Sequence, residues 1–144
     1  MKRAEQLIKL SREHHASLVT AKKIAQIAEE GDDTAVLEAM ENVITYFDDE
    51  LDLHFQHEER TIFAPIFKKY QEHIPIAKVL LKEHGFIRML VLHLTPENAR
   101  ESLSSFAEVL NMHTHMEERE LFPIIEKAFT DEELDAILNF EPIN

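Results

Sequence analysis

Apolar side chains recur at intervals of three and four residues along most of the chain, the spacing that places them on one face of an α-helix. The first run of this kind joins Leu7, Leu10, His14, Leu18, Ala21, Ala25 and Ala28. Gly31 suits the end of this helix, and Asp32, Asp33 or Thr34 can cap the helix that follows. The pattern therefore predicts a first helix that ends within the stretch EEGDDT.

Two further apolar stripes predict the second and third helices. Their members are Val43, Phe47, Leu51, His54, Glu58 and Ile62 in the second helix, and Ala77, Leu80, His84, Ile87, Val91 and Leu94 in the third. We expect the second helix to run from about residue 34 to about residue 70, with a bend or break near Pro65. The third should begin near Pro75, because proline is tolerated in a first helical turn.

A fourth helix is predicted after the stretch LTPEN, with Thr95 as its N-cap and Pro96 at its first position. Its stripe is Phe106, Leu110, His113, Glu117, Leu121 and Ile124. A short fifth helix should follow, because Thr130 and Glu133 form the pattern of a capping box. Its apolar residues, expected to pack on the other helices, are Leu134, Ile137 and Leu138.

These elements predict an all-α protein. Four long amphipathic helices with short connections favour an up-down-up-down four-helix bundle, with the short C-terminal fifth helix packed on it. A chain of 144 residues fits a single domain, which we expect to cover residues 1–144.

Composition narrows the range of functions. The net charge of −13, from 15 basic and 28 acidic residues, disfavours nucleic acid and anionic membranes as partners. The absence of cysteine excludes disulfides, iron–sulfur ligation and thiol catalysis. We find no apolar run long enough to span a membrane and no signal-peptide pattern, so we expect a cytoplasmic protein. The nine histidines are the feature that still needs an explanation.

Nearly the same string occurs twice, as HFQHEERTIFAP from His54 and as HTHMEERELFP from His113. Each string places a glutamate, Glu58 or Glu117, four residues after its first histidine, so the two side chains share one face of a helix. Both pairs lie on the apolar stripes that face the bundle interior. A charged glutamate there needs compensation for its lost hydration. A metal ion provides it, because it binds both carboxylate and neutral imidazole.

The first and third helices add one histidine each to the same interior. His84 lies on the third stripe, and His14 lies on the first, although the neighbouring His15 remains an alternative. The candidate ligands are then His14, His54, Glu58, His84, His113 and Glu117. Six ligands exceed the four of a structural zinc site. Two metal ions, bridged by the two glutamates and each bound by two histidines, use all six and leave positions for a small ligand.

This pattern resembles that of the hemerythrin-like, or HHE cation-binding, domains. The resemblance covers about residues 5–127 and rests on the six candidate ligands in their chain order. It implies a four-helix bundle that holds a non-haem di-iron centre, with two iron ions joined by an oxo or hydroxo bridge. From the ligand types alone, manganese and zinc remain open alternatives to iron.

The chain departs from the oxygen carriers of that family. Those proteins have a fifth histidine, four residues from another histidine on the third helix. Here the positions four after and four before His84 are Arg88 and Leu80. Glu117 lies four residues after His113, where the carriers place an aspartate five residues after. The chain is therefore more similar to the four-histidine, two-glutamate branch, which includes iron–sulfur-repair, nitric-oxide-linked and iron-sensing domains.

The resemblance implies a function for the centre. We expect it to bind or react with a diatomic ligand or peroxide, in sensing, iron handling or stress response. The alternative is an enzyme that reduces nitric oxide or peroxide, or that serves iron–sulfur cluster repair.

The remaining polar residues near the repeated strings have two interpretations each. Glu59 and Glu118 directly follow the candidate ligands, and each precedes an arginine, so they can form surface ion pairs or orient the ligands. His57 and His115 lie inside the strings but off the main stripe, which favours surface or supporting positions.

Overall fold

The computed structural model describes residues 3–141, and these form five helices and no strands. A single 3₁₀ turn, Glu5–Leu7, leads into α1, Ile8–Glu30. The long α2 covers residues 33–69, and α3 is Ile74–Leu92. The fourth helix, α4, covers residues 99–128, and α5 is Asp131–Leu138. The first four helices form the predicted up-down-up-down bundle, and α5 closes one end of it.

Two of the long helices contain π-turns, in which the backbone hydrogen bond spans one extra residue. In α2 these turns are Phe47–Leu51 and Glu59–Phe63, between the α-helical segments Asp33–Tyr46, Asp52–Glu58 and Ala64–Lys69. In α4 the turn is Glu117–Leu121, between Ala99–Met116 and Phe122–Ala128. Each π-turn adds one residue to the helix. The buried side chains after the turn therefore lie one position away from those that an unbroken α-helix would bury.

Several predicted helix ends are confirmed by local hydrogen bonds. Gly31 terminates α1, and Asp32 caps α2 by accepting a hydrogen bond from the backbone N–H of Ala35 at 2.8 Å. The capping box at Thr130 and Glu133 begins α5. The helix α3 begins at Ile74, with a proline in its first turn.

Other details of the helix prediction were wrong. The helix α4 begins at Ala99, not at Pro96, because Thr95 and Asn98 exchange hydrogen bonds in a separate turn before it. Near Pro65, where we expected a bend or a break, α2 does not break but continues to residue 69. In α5, Leu138 is exposed and does not pack on the bundle.

The buried stripe of α1 differs from the predicted one in two positions. Ser17 and Ile24 are buried, whereas Leu18 is half-buried and Ala25 is exposed. The buried positions alternate strictly between spacings of three and four, which is the seven-residue repeat of helices that pack side by side in a bundle. In α4, Ile125 is buried in place of Ile124, because the π-turn advances the stripe by one residue.

The interior consists of two apolar clusters with a polar layer between them. One cluster includes Val43, Phe55, Ile87 and Phe106. The other includes Leu10, Ile66, Leu80 and Phe122, and contacts α5. The residues between the clusters along each of α1 to α4 are the histidines and glutamates singled out in the sequence. No helix within residues 3–141 is long and apolar enough to cross a membrane.

Candidate metal centre

The structure brings all six candidate ligands together in the polar layer. They form two overlapping groups whose potential ligand atoms lie within 4.8 Å of one another. The groups are His14, His54, Glu58 and Glu117, and Glu58, His84, His113 and Glu117. Both glutamates belong to both groups, which is the arrangement that the sequence led us to expect of bridging carboxylates.

The histidines point their Nε2 atoms at the two carboxylates. The Nε2 atom of His14 lies 2.8 Å from Glu117 and 3.2 Å from Glu58. The Nε2 atoms of His54 and His84 each lie 3.2 Å from an oxygen of Glu58, and that of His113 lies 3.2 Å from Glu117. The distances show four nitrogen donors converging on one small volume.

This volume is fully inaccessible to solvent. The side chains of Glu58 and Glu117 are both 0% exposed. One oxygen of Glu58 and both oxygens of Glu117 make no well-aligned hydrogen bond, although histidine Nε2 atoms lie 2.8–3.2 Å from them. Buried carboxylates are unfavourable in a protein interior unless positive charge lies beside them. A cation between the glutamates would satisfy these oxygens, so the residues present fit a metal centre.

The pKa values of His113 and Glu58 show that the histidines and glutamates of the cluster interact strongly. Burial disfavours the charged form of His113, but Glu117 and Glu83 raise its pKa to about 10. Burial likewise opposes the charge on Glu58, yet His54 and the other nearby histidines hold its pKa well below the ordinary value. Because a metal ion needs the free lone pair of each imidazole, it would replace the protons that these contacts otherwise favour.

A ring of four outer glutamates supports the histidines. Each histidine donates its Nδ1–H to a glutamate of a neighbouring helix, so that Nε2 is directed inward and is the nitrogen available to a metal ion. The four contacts are His14 to Glu118 at 2.5 Å, His54 to Glu13 at 2.8 Å, His84 to Glu59 at 2.8 Å, and His113 to Glu83 at 2.9 Å. These contacts cross between helices, so the ring also joins the bundle around the centre.

Basic side chains stand behind three of these outer glutamates. Arg88 donates to Glu59 at 2.7 Å, and Arg3 lies 3.4 Å from Glu118. The Nζ of Lys9 lies 2.7 Å from Glu13. Burial raises the pKa of Glu13, but hydrogen bonds with His54 and Lys9 outweigh it and hold the pKa at about 2. Glu13 therefore keeps its negative charge at neutral pH.

The sequence interpretation of Glu59 and Glu118 as orienting residues agrees with these contacts. Their arginine neighbours, Arg60 and Arg119, are exposed and do not take part. We did not predict the same role for Glu13 and Glu83. Each directly precedes a candidate ligand, and this repeated Glu-His pair is the signal that could have identified them.

The other histidines lie outside the centre. The side chain of His15 is exposed on α1, next to the buried His14. His57 is buried, where we expected a surface or supporting position, and it donates from Nε2 to the backbone carbonyl of Ile137 at 2.7 Å. Its ring also stacks on Phe140, with 4.7 Å between centroids. His57 therefore fastens α5 to α2.

The two π-turns nearest the centre occur at matching places in the repeated strings. One begins at Glu59, directly after Glu58, and the other begins at Glu117 itself. π-turns are frequent at functional sites, because they point toward the site a side chain that a regular α-helix would point elsewhere. Phe63, at the end of the first turn, and Phe122, directly after the second, are buried and close the bundle on one side of the centre.

The fold and the cluster together define a class: a four-helix bundle with a candidate metal centre of four histidines and two glutamates in its interior. The model of the hemerythrin HHE cation-binding domain family matches residues 6–125 of the chain. Since this range covers most of the 144 residues, the chain belongs to that family. No curated protein and no solved structure matches the chain.

Proposed function

We propose that this domain holds two iron ions and that its centre binds or reacts with oxygen, peroxide or nitric oxide. The observation that carries the proposal is the pair of four-residue groups that share Glu58 and Glu117. Two ions would use both groups, with Glu58 and Glu117 shared between them and two histidines for each ion. Iron at these positions would supply Lewis acidity and one-electron redox chemistry.

The surroundings of the centre support reaction with small uncharged molecules. The polar layer is enclosed by apolar side chains, which include Phe55 and Phe63. Phe55 stacks on the ring of His84, with 3.9 Å between centroids. A dry site of this kind favours small ligands over hydrated or bulky ones. The proposed biological setting is the cytoplasm, in sensing, iron handling or stress response.

The first experiment measures metal content and optical spectra. Protein from iron-supplemented cells should contain about two iron ions per chain by elemental analysis, and its near-ultraviolet spectrum should change between the reduced protein and the protein in air. Glu58→Ala and Glu117→Ala should each lower the iron content well below that of the parent. An exposed substitution, Glu120→Ala, provides the control. Two iron ions in both glutamate variants would contradict the proposal.

A second measurement separates binding from turnover. The reduced, iron-loaded protein is mixed with excess peroxide, and separately with excess nitric oxide, in the presence of a reductant. Consumption of one equivalent per centre supports a binding or sensing role. Consumption of many equivalents favours the alternative, an enzyme that reduces one of these molecules.

A further inference from the structure

The bundle contains a cavity of about 170 Å³ between α1 and α2 that reaches His54, one of the six candidate ligands. The inner wall is formed by His54 and by Glu13, the glutamate that orients it. The outer part carries the exposed carboxylates of Asp49 and Glu50. A role for this cavity in metal exchange rests on the proposed function, because it concerns how an ion reaches that centre.

The repeat within the chain provides an internal comparison for this cavity. His14 of α1 corresponds to His84 of α3, and His54 of α2 corresponds to His113 of α4. The interface of α1 with α2 therefore has a counterpart in the interface of α3 with α4. At that counterpart, an orienting contact of the same kind occurs, between His113 and Glu83 at 2.9 Å. The two interfaces therefore share this orienting contact, and their differences lie in the residues around it.

Two of the α1 positions that line the cavity have larger, apolar counterparts on α3. Ala16, two residues after His14, corresponds to Phe86, and the buried Ser17 corresponds to the buried Ile87. A phenylalanine and an isoleucine thus occupy the places where the α1–α2 side has a methyl group and a hydroxyl group.

The same contrast holds on α2 and α4 once the π-turn Phe47–Leu51 is taken into account. This turn has no counterpart in α4, which is regular α-helix over Ala99–Met116. This turn adds one residue between Tyr46 and His54. The residue of α4 that corresponds to Tyr46 is therefore Phe106. The Tyr46 hydroxyl lies 2.8 Å from the Ser17 hydroxyl at the cavity wall.

Two more lining residues fit the pattern. Glu50 and His57 line the cavity. Their counterparts 59 residues later, the interval from His54 to His113, are Val109 and Met116. One half of the bundle therefore has a cavity beside a candidate ligand, and the other half has apolar side chains at several of the matching positions. Two positions are carboxylates in both halves, since Glu13 corresponds to Glu83 and Asp49 corresponds to Glu108.

We propose that divalent cations enter and leave the centre through this cavity between α1 and α2. Three carboxylates, those of Glu13, Asp49 and Glu50, line it against the single positive charge of Lys9. This balance attracts cations and repels anions. Polar groups along the wall can replace the water that a cation loses, and the buried carboxylates of Glu58 and Glu117 are its destination.

The test compares rates of metal uptake rather than activity. Apo-protein, prepared by chelation, is mixed with Fe²⁺ without oxygen in a stopped-flow instrument, and bound metal is measured over time. Ala16→Phe places at the cavity the residue found at the matching position of α3. We expect uptake to slow at least tenfold, and release of iron to excess EDTA to slow by the same factor. A blocked route changes both rates equally, so the equilibrium affinity and the number of bound ions should remain those of the parent.

His15→Phe is the matched control, since it adds the same side chain at the next position of α1, where the residue is exposed and does not line the cavity. Its uptake rate should equal that of the parent. Circular dichroism and thermal unfolding confirm that both variants are folded.

A second pair of variants tests the charge of the cavity. Asp49→Asn combined with Glu50→Gln should slow uptake about threefold or more at low salt, and the difference should shrink at high salt. Glu108→Gln removes one exposed carboxylate from α4 outside this cavity and should leave the rate unchanged.

Equal uptake rates in the parent and in folded Ala16→Phe would overturn the proposed route. A lower affinity of Ala16→Phe with unchanged uptake would also overturn it, because this result means that the new side chain disturbs the ligands. A parent protein that binds no iron would instead overturn the proposed function, and the route with it.

Discussion

At the scale of single residues, the centre depends on groups that do not themselves face the metal position. The four outer glutamates accept hydrogen bonds from the Nδ1 atoms of the histidines, which sets the tautomer and the ring orientation. Without such an acceptor, a ring can rotate or place its proton on Nε2. Metal affinity should therefore depend on the outer glutamates even though they supply no ligand atom.

Glu83→Gln tests this dependence. The amide keeps the size of the side chain but replaces a charged acceptor of the His113 proton with a neutral one. We expect the affinity for Fe²⁺ to fall about 10- to 100-fold, with two ions still bound at saturation. Competition with a chromophoric chelator measures the affinity. Glu120→Gln, on an exposed position, should match the parent, and an unchanged affinity in Glu83→Gln would contradict the orienting role.

A second residue-scale prediction concerns Phe55, which lies against the ring of His84 and is 1% exposed. Phe55→Ala leaves a cavity next to the centre, so the free energy of unfolding should fall by about 3–5 kcal/mol. Urea unfolding of the apo-protein measures this change. Phe86→Ala, at a half-exposed phenylalanine of α3, should change it by only about 0.5 kcal/mol.

The six candidate ligands could be found from the sequence because each one violates the apolar pattern of its own helix. A histidine or glutamate at an interior position stands out against leucine and phenylalanine. Glu13 and Glu83 could not be found by this rule. They lie at the edge of the buried stripe, where a glutamate is ordinary, and their role depends on which helix lies opposite.

At the scale of elements, the sequence predicts the number and order of the helices. It does not predict which positions of the long helices are buried after a π-turn. Periodicity of 3.6 residues assumes an unbroken α-helix, and each π-turn shifts the stripe by one residue. Ile125, rather than Ile124, is buried for this reason. A capping box and a glycine that ends a helix each depend on a few neighbouring residues. The helix end at Gly31 and the helix start at Thr130 could therefore be predicted from the sequence. The separate turn at Thr95 uses the same residue types, and only its hydrogen bonds distinguish it from a helix start.

One element-scale contact predicts a pH dependence. Tyr70, at the C-terminal end of α2, donates its hydroxyl to Glu133 in the first turn of α5, and this hydrogen bond raises the pKa of Tyr70 to about 12. Since this pKa in the folded state lies above the ordinary value of 10, the stabilisation is complete below pH 10 and is lost as the pH rises through about 12. Tyr70→Phe should therefore be less stable than the parent below pH 10, and the difference should disappear by about pH 12.

Chemical denaturation at a series of pH values measures this difference. Glu133→Gln serves as the matched variant, because it keeps the helix start but removes the charged acceptor. It should show a weaker pH dependence than the parent over the same range. A parent and a Tyr70→Phe variant with equal stability below pH 10 would show that this contact does not hold α5 in place.

At the scale of the whole molecule, the polar layer divides what would otherwise be one continuous core. Apolar clusters lie on both sides of it. The layer itself carries buried carboxylates, whose charge opposes folding unless positive charge lies beside it. In the metal-free protein the neighbouring histidines compensate the charge of Glu58. Because metal ions would bind these groups only where folding brings them together, the stability of this bundle should rise with metal occupancy.

Thermal unfolding with and without metal tests this dependence. An ion that binds only the folded state adds about 2.7 kcal/mol when it is present at 100 times its Kd, and two ions add about twice that amount. For a domain of this size, about 5 kcal/mol raises the Tm by roughly 10–20 °C. The parent protein should show this difference between iron-loaded and EDTA-treated samples under anaerobic conditions. Glu58→Gln combined with Glu117→Gln should abolish it, because the neutral amides no longer hold the ions. The double variant should also have a lower Tm than the parent without metal. Burial opposes the charge of Glu58, but the nearby histidines hold its pKa well below the ordinary value, so the charged side chain stabilises the fold at neutral pH. A metal-free variant that unfolds at a higher temperature than the metal-free parent would show that the histidines do not compensate the buried charges.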